Sequence, residues 1–231
     1  MEREAICRTA ELLGDEAVEK LSKASVIVFG IGGVGSFAAE ALARSGIGRM
    51  ALVDFDRVSV SNINRQIIAL HSTVGMFKTE AMAKRIKDIN PDAEIREFRI
   101  FYGDETESEI DLSEYDYIVD AVDSVRTKLM LAEKALEKSV GIISSMGTGN
   151  KTDPSRFRIC DIKKTSVCPL ARSVRTQLKK RGIDSLTVLF SDEKPARAKS
   201  TVDAPASCSF VPSVAGLMIA GHVIREISEH G

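Results

Sequence analysis

Ser25-Val26-Ile27-Val28-Phe29-Gly30-Ile31-Gly32-Gly33-Val34-Gly35-Ser36 is the stretch on which the fold turns. Its first five residues form a compact, β-branched run, the pattern of a strand buried on both faces of a parallel sheet. Four glycines then lead into Phe37 to Arg44, a helix-forming segment closed near Gly46. A strand, a glycine-rich turn and a helix in succession carry backbone N–H groups to a phosphate, because only glycine lets the chain turn tightly and approach closely. Gly30, Gly32, Gly33 and Gly35 are therefore candidate nucleotide-binding residues.

Working outward, the alternation continues. Met50 to Asp54 reads as a second strand, Val74 to Asn90 as a long helix stopped by Pro91, and Glu94 to Phe101 as a third strand. Tyr117 to Ala121, helix Arg126 to Lys138 and strand Gly141 to Ser145 complete a β-α-β series. Such alternation predicts an α/β fold with a doubly wound, mostly parallel, Rossmann-like sheet. Upstream, Ala5 to Ser22 has helical spacing and forms a lead-in. Beyond Gly149 come a strand near Phe157 to Ile162, a basic helix near Leu170 to Arg181 and a strand near Thr187 to Phe190. Ser191 to Ser209 is polar and reads as a mobile loop, and Pro212 to Ile227 as a final apolar helix. The expected organisation is a single domain over 1–231, with a nucleotide-binding core at 1–150 and a substrate-binding, covering segment at 151–231.

Composition narrows the function classes. With 44% apolar and 28% charged residues the chain has the balance of a soluble globular protein. It lacks a run of about eighteen uncharged apolar residues, and its N-terminus has mixed charge. The expectation is a cytoplasmic protein with no membrane partner. Cys7, Cys160, Cys168 and Cys208 contain no CxxC pair, so they read as free thiols rather than zinc ligands. The net charge of -1 conceals a basic segment: Arg156 to Ser200 holds twelve Lys and Arg against four Asp and Glu. A polyanionic partner or a solvated helix face would each account for it.

Which nucleotide is bound depends on the residues around and beyond Asp54. That residue ends the second strand, where a carboxylate accepts hydrogen bonds from ribose hydroxyls. After it come Asn62, Arg65, Gln66 and Lys78. A dehydrogenase needs no such set, whereas a triphosphate needs fixed donors for the charge that moves onto departing pyrophosphate. Arg65 and Lys78 supply positive charge, and Asn62 and Gln66 neutral hydrogen bonds. Asp123, just past the fourth strand, is a carboxylate suited to Mg2+ beside phosphate oxygens. Singly, each of these would read as a surface ion pair or a loop contact. Placed around one glycine loop, they read as an ATP site.

Gly30-x-Gly-Gly-Val-Gly-Ser36, Asp54-Phe-Asp56, Ser61-Asn-x-x-Arg-Gln66 and Val74-Gly-x-x-Lys78 resemble the ubiquitin-activating-like adenylyltransferases over roughly Arg8 to Asp123. The resemblance implies that Gly33 and Asp54 bind the nucleotide, with Asp54 on the ribose; Asp56, in the same motif, joins the four glycines as a cofactor-binding candidate. The resemblance also places Asn62, Arg65, Gln66 and Lys78 along the phosphates and Asp123 near the metal. Arg8 resembles an N-terminal arginine that reaches across a homodimer to the partner's phosphates.

The sulfur-carrier branch of that superfamily usually carries two CxxC pairs, which this chain lacks. Ala121-Val-Asp-Ser-Val-Arg-Thr-Lys128, Gly147-Thr-Gly-Asn150, Cys168-Pro-Leu-Ala-Arg172-Ser-Val-Arg175 and Lys179-Lys-Arg-Gly182 are instead similar to the tRNA threonylcarbamoyladenosine dehydratases, nearly end to end. That resemblance implies ATP-dependent activation of a carboxylate on tRNA, with a sulfur-relay protein as a further candidate partner. Arg172, Arg175, Lys179, Lys180 and Arg181, with Lys194, Arg197 and Lys199 beyond, would then neutralise RNA phosphates. Two alternatives stay open: an adenylyltransferase for a small protein with a Gly-Gly tail, and a nucleotide-binding redox protein. Cys208 invites a thioester role but reads as an ordinary apolar residue, since no His or cation neighbours it in sequence.

Overall fold

The computed structural model describes residues 1–196 and 205–230. Arg197 and Lys199 lie outside the described residues. The N-terminal lead-in is two helices rather than one, α1 (Arg3–Leu13) and α2 (Asp15–Lys23). They part at Gly14, whose φ of 92° is open to glycine and breaks the helical hydrogen-bond ladder. Next in the chain come β1 (Ser25–Phe29), α3 (Gly35–Arg44), β2 (Arg49–Val53), α4 (Lys78–Ile89), β3 (Glu94–Phe98) and β4 (Tyr117–Asp120). The second half contributes α5 (Val125–Lys138), β5 (Gly141–Ser145), β6 (Phe157–Asp161), α6 (Pro169–Lys180), β7 (Thr187–Ser191) and α7 (Phe210–His230).

The seven strands form one sheet in the order β3-β2-β1-β4-β5-β7-β6. Every pairing is parallel except that of β6 with β7. This is the doubly wound, mostly parallel sheet expected from the sequence. The order reverses between β1 and β4, which opens a crevice at the strands' carboxyl ends.

Alternation along β1 explains its uniform burial. Val26 and Val28 pack with Leu42 of α3, Ile86 of α4 and Ile219 of α7. Ile27 and Phe29 face Met130, Leu131 and Ala135 of α5. Each such side chain contributes roughly 1.5–3 kcal/mol by leaving water. A third cluster joins α5 and α6 through Leu129, Ala132, Ala171, Val174 and Leu178, backed by Val188 of β7.

By length and composition α7 is apolar enough to cross a membrane, with a mean hydropathy of 1.3 over Phe210–Glu229. Here it is a core helix: Val211, Ala215, Ile219, Ala220 and Val223 are all buried. Gly216 lies so close to the Val34 carbonyl that a β-carbon would collide with it. That contact presses α7 onto the start of α3 and so onto the phosphate loop.

The helix expected from Val74 begins only at Lys78. Gly75 adopts φ 89°, and Val58 pairs with this segment, donating to the Met76 carbonyl and accepting from Gly75 N–H, both at 2.9 Å. A local bridge therefore replaces the first helical turn. All four cysteines are free.

Candidate active site

A cleft of about 910 Å3 opens where β1, β2 and β4 end. Its floor is the Gly30–Gly35 loop. Gly30 has φ 84°, and a β-carbon there would stand 2.7 Å from the Ala121 carbonyl oxygen. A β-carbon on Gly35 would strike the Gly30 carbonyl. These two positions demand glycine, and their close packing brings the uncapped start of α3 up to the cleft.

Asp54 organises this floor. Its Oδ2 accepts from Ile31 N–H at 2.7 Å and its Oδ1 from Asp56 N–H at 2.9 Å. Burial lifts its carboxyl above the ordinary aspartate value, opposed by the nearby Lys78 ammonium. Lys78 is itself buried, with Nζ 2.6 Å from Asp56 Oδ2 and 3.9 Å from Asp54 Oδ2. The two carboxylates thus hold a cation at the cleft wall, and Asp56 is committed to that pair.

The 3-10 turn Val60–Asn62 and the residues after it supply further donors. Asn62 Oδ1 accepts from Ser59 N–H at 3.0 Å, which fixes the carboxamide. Arg65 donates from Nη1 to the Ser61 carbonyl at 2.8 Å and to Asn64 Oδ1 at 3.0 Å. Gln66 packs under the loop, its Nε2 3.8 Å from where a Gly32 β-carbon would be, and its buried Oε1 has no partner among the described residues. A cradle that side chains would fill and two cations together fit a phosphate chain, whereas the orphaned Gln66 oxygen is an acceptor and calls for a hydroxyl or amine donor instead.

Asp123 stands exposed at the cleft rim, on the turn between β4 and α5. Beneath it is a fully buried network that the sequence pattern did not single out. Lys128 Nζ lies 3.0 Å from both Asp120 oxygens and 3.2 Å from Ser144 Oγ, and both ionic side chains are 0% exposed. Asp120 Oδ1 also accepts from Val122 N–H at 3.2 Å, so the pair shapes the turn that carries Asp123. The available signal was a lysine on the apolar face that α5 presents with Leu131, Ala132 and Ala135.

Among the described residues no group of three or more His, Cys, Asp or Glu gathers, so Asp123 would hold a metal as a single carboxylate. Arg8 is exposed on α1 and does not line the cleft. Cys208 is half-buried against the main core.

The far wall comes from the second half of the chain: Gly147 to Lys151 and the start of α6 at Cys168-Pro169-Leu170. Asn150 adopts φ 56° and braces this wall. Its carbonyl accepts from Ala196 N–H at 2.7 Å, while its N–H donates to the Ala206 carbonyl at 2.7 Å.

A second groove, about 700 Å3, runs along α6 and is lined by Arg172, Arg175, Lys180 and Arg181; it shares Cys168 and Pro169 with the cleft. Arg172, Lys179 and Lys180 are exposed. Arg175, expected on the same charged face, turns one Nη1 inward to Thr165 Oγ1 at 2.5 Å and its carbonyl at 3.0 Å. Its guanidinium is thereby half-buried and partly committed to the fold. Arg181 pairs with Glu133 at 2.6 Å.

The fold, the glycine cradle and the cations around it define a ThiF-type protein, and the ThiF family profile matches residues 6–231. The chain belongs to that family. It is 46% identical to a tRNA threonylcarbamoyladenosine dehydratase of Bacillus subtilis, across 93% of this chain and 91% of that one. The Escherichia coli tRNA N6-threonylcarbamoyladenosine dehydratase TcdA in complex with AMP superposes with a TM-score of 0.92 at 34% identity, covering 98% of this chain and 95% of that one. Its complex with ATP superposes at 0.89. Similarity to a Xenopus laevis adenylyltransferase and sulfurtransferase, MOCS3, is narrower: 35% identity over 58% of this chain and 29% of that protein.

Proposed function

We propose that this chain is a cytoplasmic, ATP-dependent enzyme that cyclises threonylcarbamoyladenosine in tRNA with net loss of water. The observation that carries the reading is the junction at Cys168 and Pro169, where a glycine-built, cation-lined cleft meets a basic groove. A tRNA lying on α6 would present its modified base to ATP in the cleft. The near end-to-end similarity to dehydratases, against partial similarity to a sulfur-carrier adenylyltransferase, supports tRNA over a protein substrate.

In this reading ATP lies with its phosphates on the Gly30–Gly35 loop and its ribose at Asp54. An oxygen of the threonyl carboxylate attacks the α-phosphorus, the bond to the bridging oxygen breaks, and pyrophosphate leaves. A nitrogen of the same modification then attacks the acyl carbon and loses its proton as AMP departs. Because the ring closure is intramolecular, no enzyme nucleophile is needed. The protein acts by positioning and by fixed charge at the transferring phosphorus.

Arg65 and Lys78 meet the negative charge that builds on pyrophosphate, and Asn62 and Gln66 add neutral donors. Asp123 would hold Mg2+, which when bound would neutralise phosphate charge. The whole chain would act as one adenylation unit, its second half forming the tRNA side. A homodimer would bring Arg8 of one copy to the other's nucleotide. The decisive experiment is mass spectrometry of nucleosides from tRNA incubated with the protein and ATP. A product lighter by one water, formed with AMP, is expected. Unaltered tRNA together with adenylation of a Gly-Gly-tailed protein would replace this reading with the sulfur-carrier one.

A further inference from the structure

Two anions must meet in the cleft, the triphosphate and the attacking carboxylate, and each needs its own cation. The described residues lining the cleft include three: Arg65, Lys78 and Lys151. Arg65 and Lys78 follow β2 and flank the phosphate loop, where Lys78 is already held by Asp56. Lys151 is placed differently. It follows β5, on the wall where the cleft meets the α6 groove, beside Asn150 and the Cys168-Pro169-Leu170 start of α6.

Lys151 is 4% exposed, unusual for a lysine without a carboxylate partner. Its Nζ donates to the Glu193 carbonyl at 2.7 Å, and this is its one hydrogen bond among the described residues. An ammonium has three N–H donors, so two lack an acceptor there. The Glu193 carboxylate is spent elsewhere, accepting from Thr152 N–H at 2.9 Å and Asp153 N–H at 3.1 Å. The amine is therefore anchored but not neutralised. Burial pulls it below the ordinary lysine value, and an arriving anion would offset that penalty. The start of α6 adds partial positive charge to the same wall.

We propose that Lys151 binds the substrate carboxylate, holding it as an anion on the tRNA side of the cleft until it attacks ATP. The proposal rests on the reaction assigned above and adds the residue that selects its acid. Lys151 keeps its proton throughout. It orients the carboxylate and offsets its repulsion from the phosphates, and it gives a free acid preference over an ester or amide of the same shape. A merely structural lysine, tying the 150–153 segment to the end of β7, would give no such preference.

The test compares wild-type protein with Lys151→Met and Lys151→Arg. The probes are tRNA bearing threonylcarbamoyladenosine and the same tRNA with that carboxylate converted to its methyl ester. The readouts are affinity for each tRNA, ATP affinity, the dehydration rate with the acid, and the thermal midpoint. Wild type should prefer the acid by roughly 10- to 100-fold, the range for a hydrogen bond to a charged group. Lys151→Met should bring that ratio to about one with ATP affinity unchanged, and Lys151→Arg should restore part of it. Lys151→Arg, which keeps the charge, decides the matter should Lys151→Met fold poorly, since a folded Arg variant with no acid preference overturns the proposal. A Lys151→Met protein that keeps the preference also overturns it, while leaving the dehydratase reading intact. Wild type that removes no water from the tRNA would sink the dehydratase reading, and this inference with it.

Discussion

Replacing Lys128 by Met removes one charge from a fully buried pair and leaves Asp120 facing Ser144 and the Val122 N–H alone. Both side chains are 0% exposed, so water cannot reach the abandoned carboxylate without opening the core. Breaking such a pair costs about 3–5 kcal/mol, because the surviving charge stays desolvated. At about 2–4 °C per kcal/mol for a chain of this size, the thermal midpoint should fall by roughly 6–20 °C. Adding Asp120→Asn to Lys128→Met removes the stranded charge but keeps an acceptor for Val122 and a polar partner for Ser144. The double variant should regain at least half of the loss, although it has fewer polar contacts than the single one. Urea melts of wild type, both singles and the double give the coupling energy directly. A single variant within about 1 kcal/mol of wild type, or a double variant no more stable than the single, would refute the argument.

Three further outcomes are expected. Asp54 is held above the ordinary aspartate value by burial, so acidification protonates it early, turning one of its two acceptor oxygens into a donor and weakening its hold on a bound ribose. Adenosine affinity should therefore drop as pH falls through that raised value; an Asp54→Asn protein with the same acid limb would contradict the assignment. Mixing Arg8→Ala with Asp54→Ala subunits should rescue AMP formation, since one hybrid site combines an intact Arg8 with an intact Asp54. Verified subunit exchange without rescue would argue against a shared site. Reversing Arg172, Lys179 and Lys180 to Glu should weaken tRNA binding and reduce its salt slope by about 2–3, at roughly 0.7–0.9 per phosphate contact, while ATP affinity holds. Arg175→Ala should instead act mainly on stability, and an unchanged slope in the triple variant would free α6 of the role.

The strands were the most legible part of the chain. β1 and β5 occupy the residues expected of them because short apolar runs, bounded by small or polar residues, leave few other boundaries. Helix starts were less so. Ala5 to Ser22 has one periodicity but Gly14 divides it, and the turn at Gly75 bonds to Val58, a distant partner that local pattern does not reveal. That the candidates from Gly30 to Asp123 line one cleft was readable because glycines, carboxylates and cations each follow a strand end, and parallel strands end on the same side of the sheet. Lys128 and Lys151 were not. A lysine in sequence reads as solvated, and only the packed fold shows that α5 sinks one into the core while the end of β5 sinks another into the cleft wall. Arg175 erred in the opposite direction, since helical spacing grouped it with exposed cations while Thr165 drew it inward.

The sheet's two outer strands bear on how copies of the chain can meet. β3 offers Glu94, Arg96 and Glu97 to solvent, and β6, antiparallel to its neighbour, shows Arg158 and ends at Asp161. Charged side chains on a short border strand discourage a foreign strand from docking there. Growth by sheet extension, the route to open-ended fibrils, is thus disfavoured at both ends. A self-complementary patch of helices and loops would instead stop at two copies. The same charges that make the borders inhospitable would keep the protein dispersed at the high local concentrations of a crowded cell.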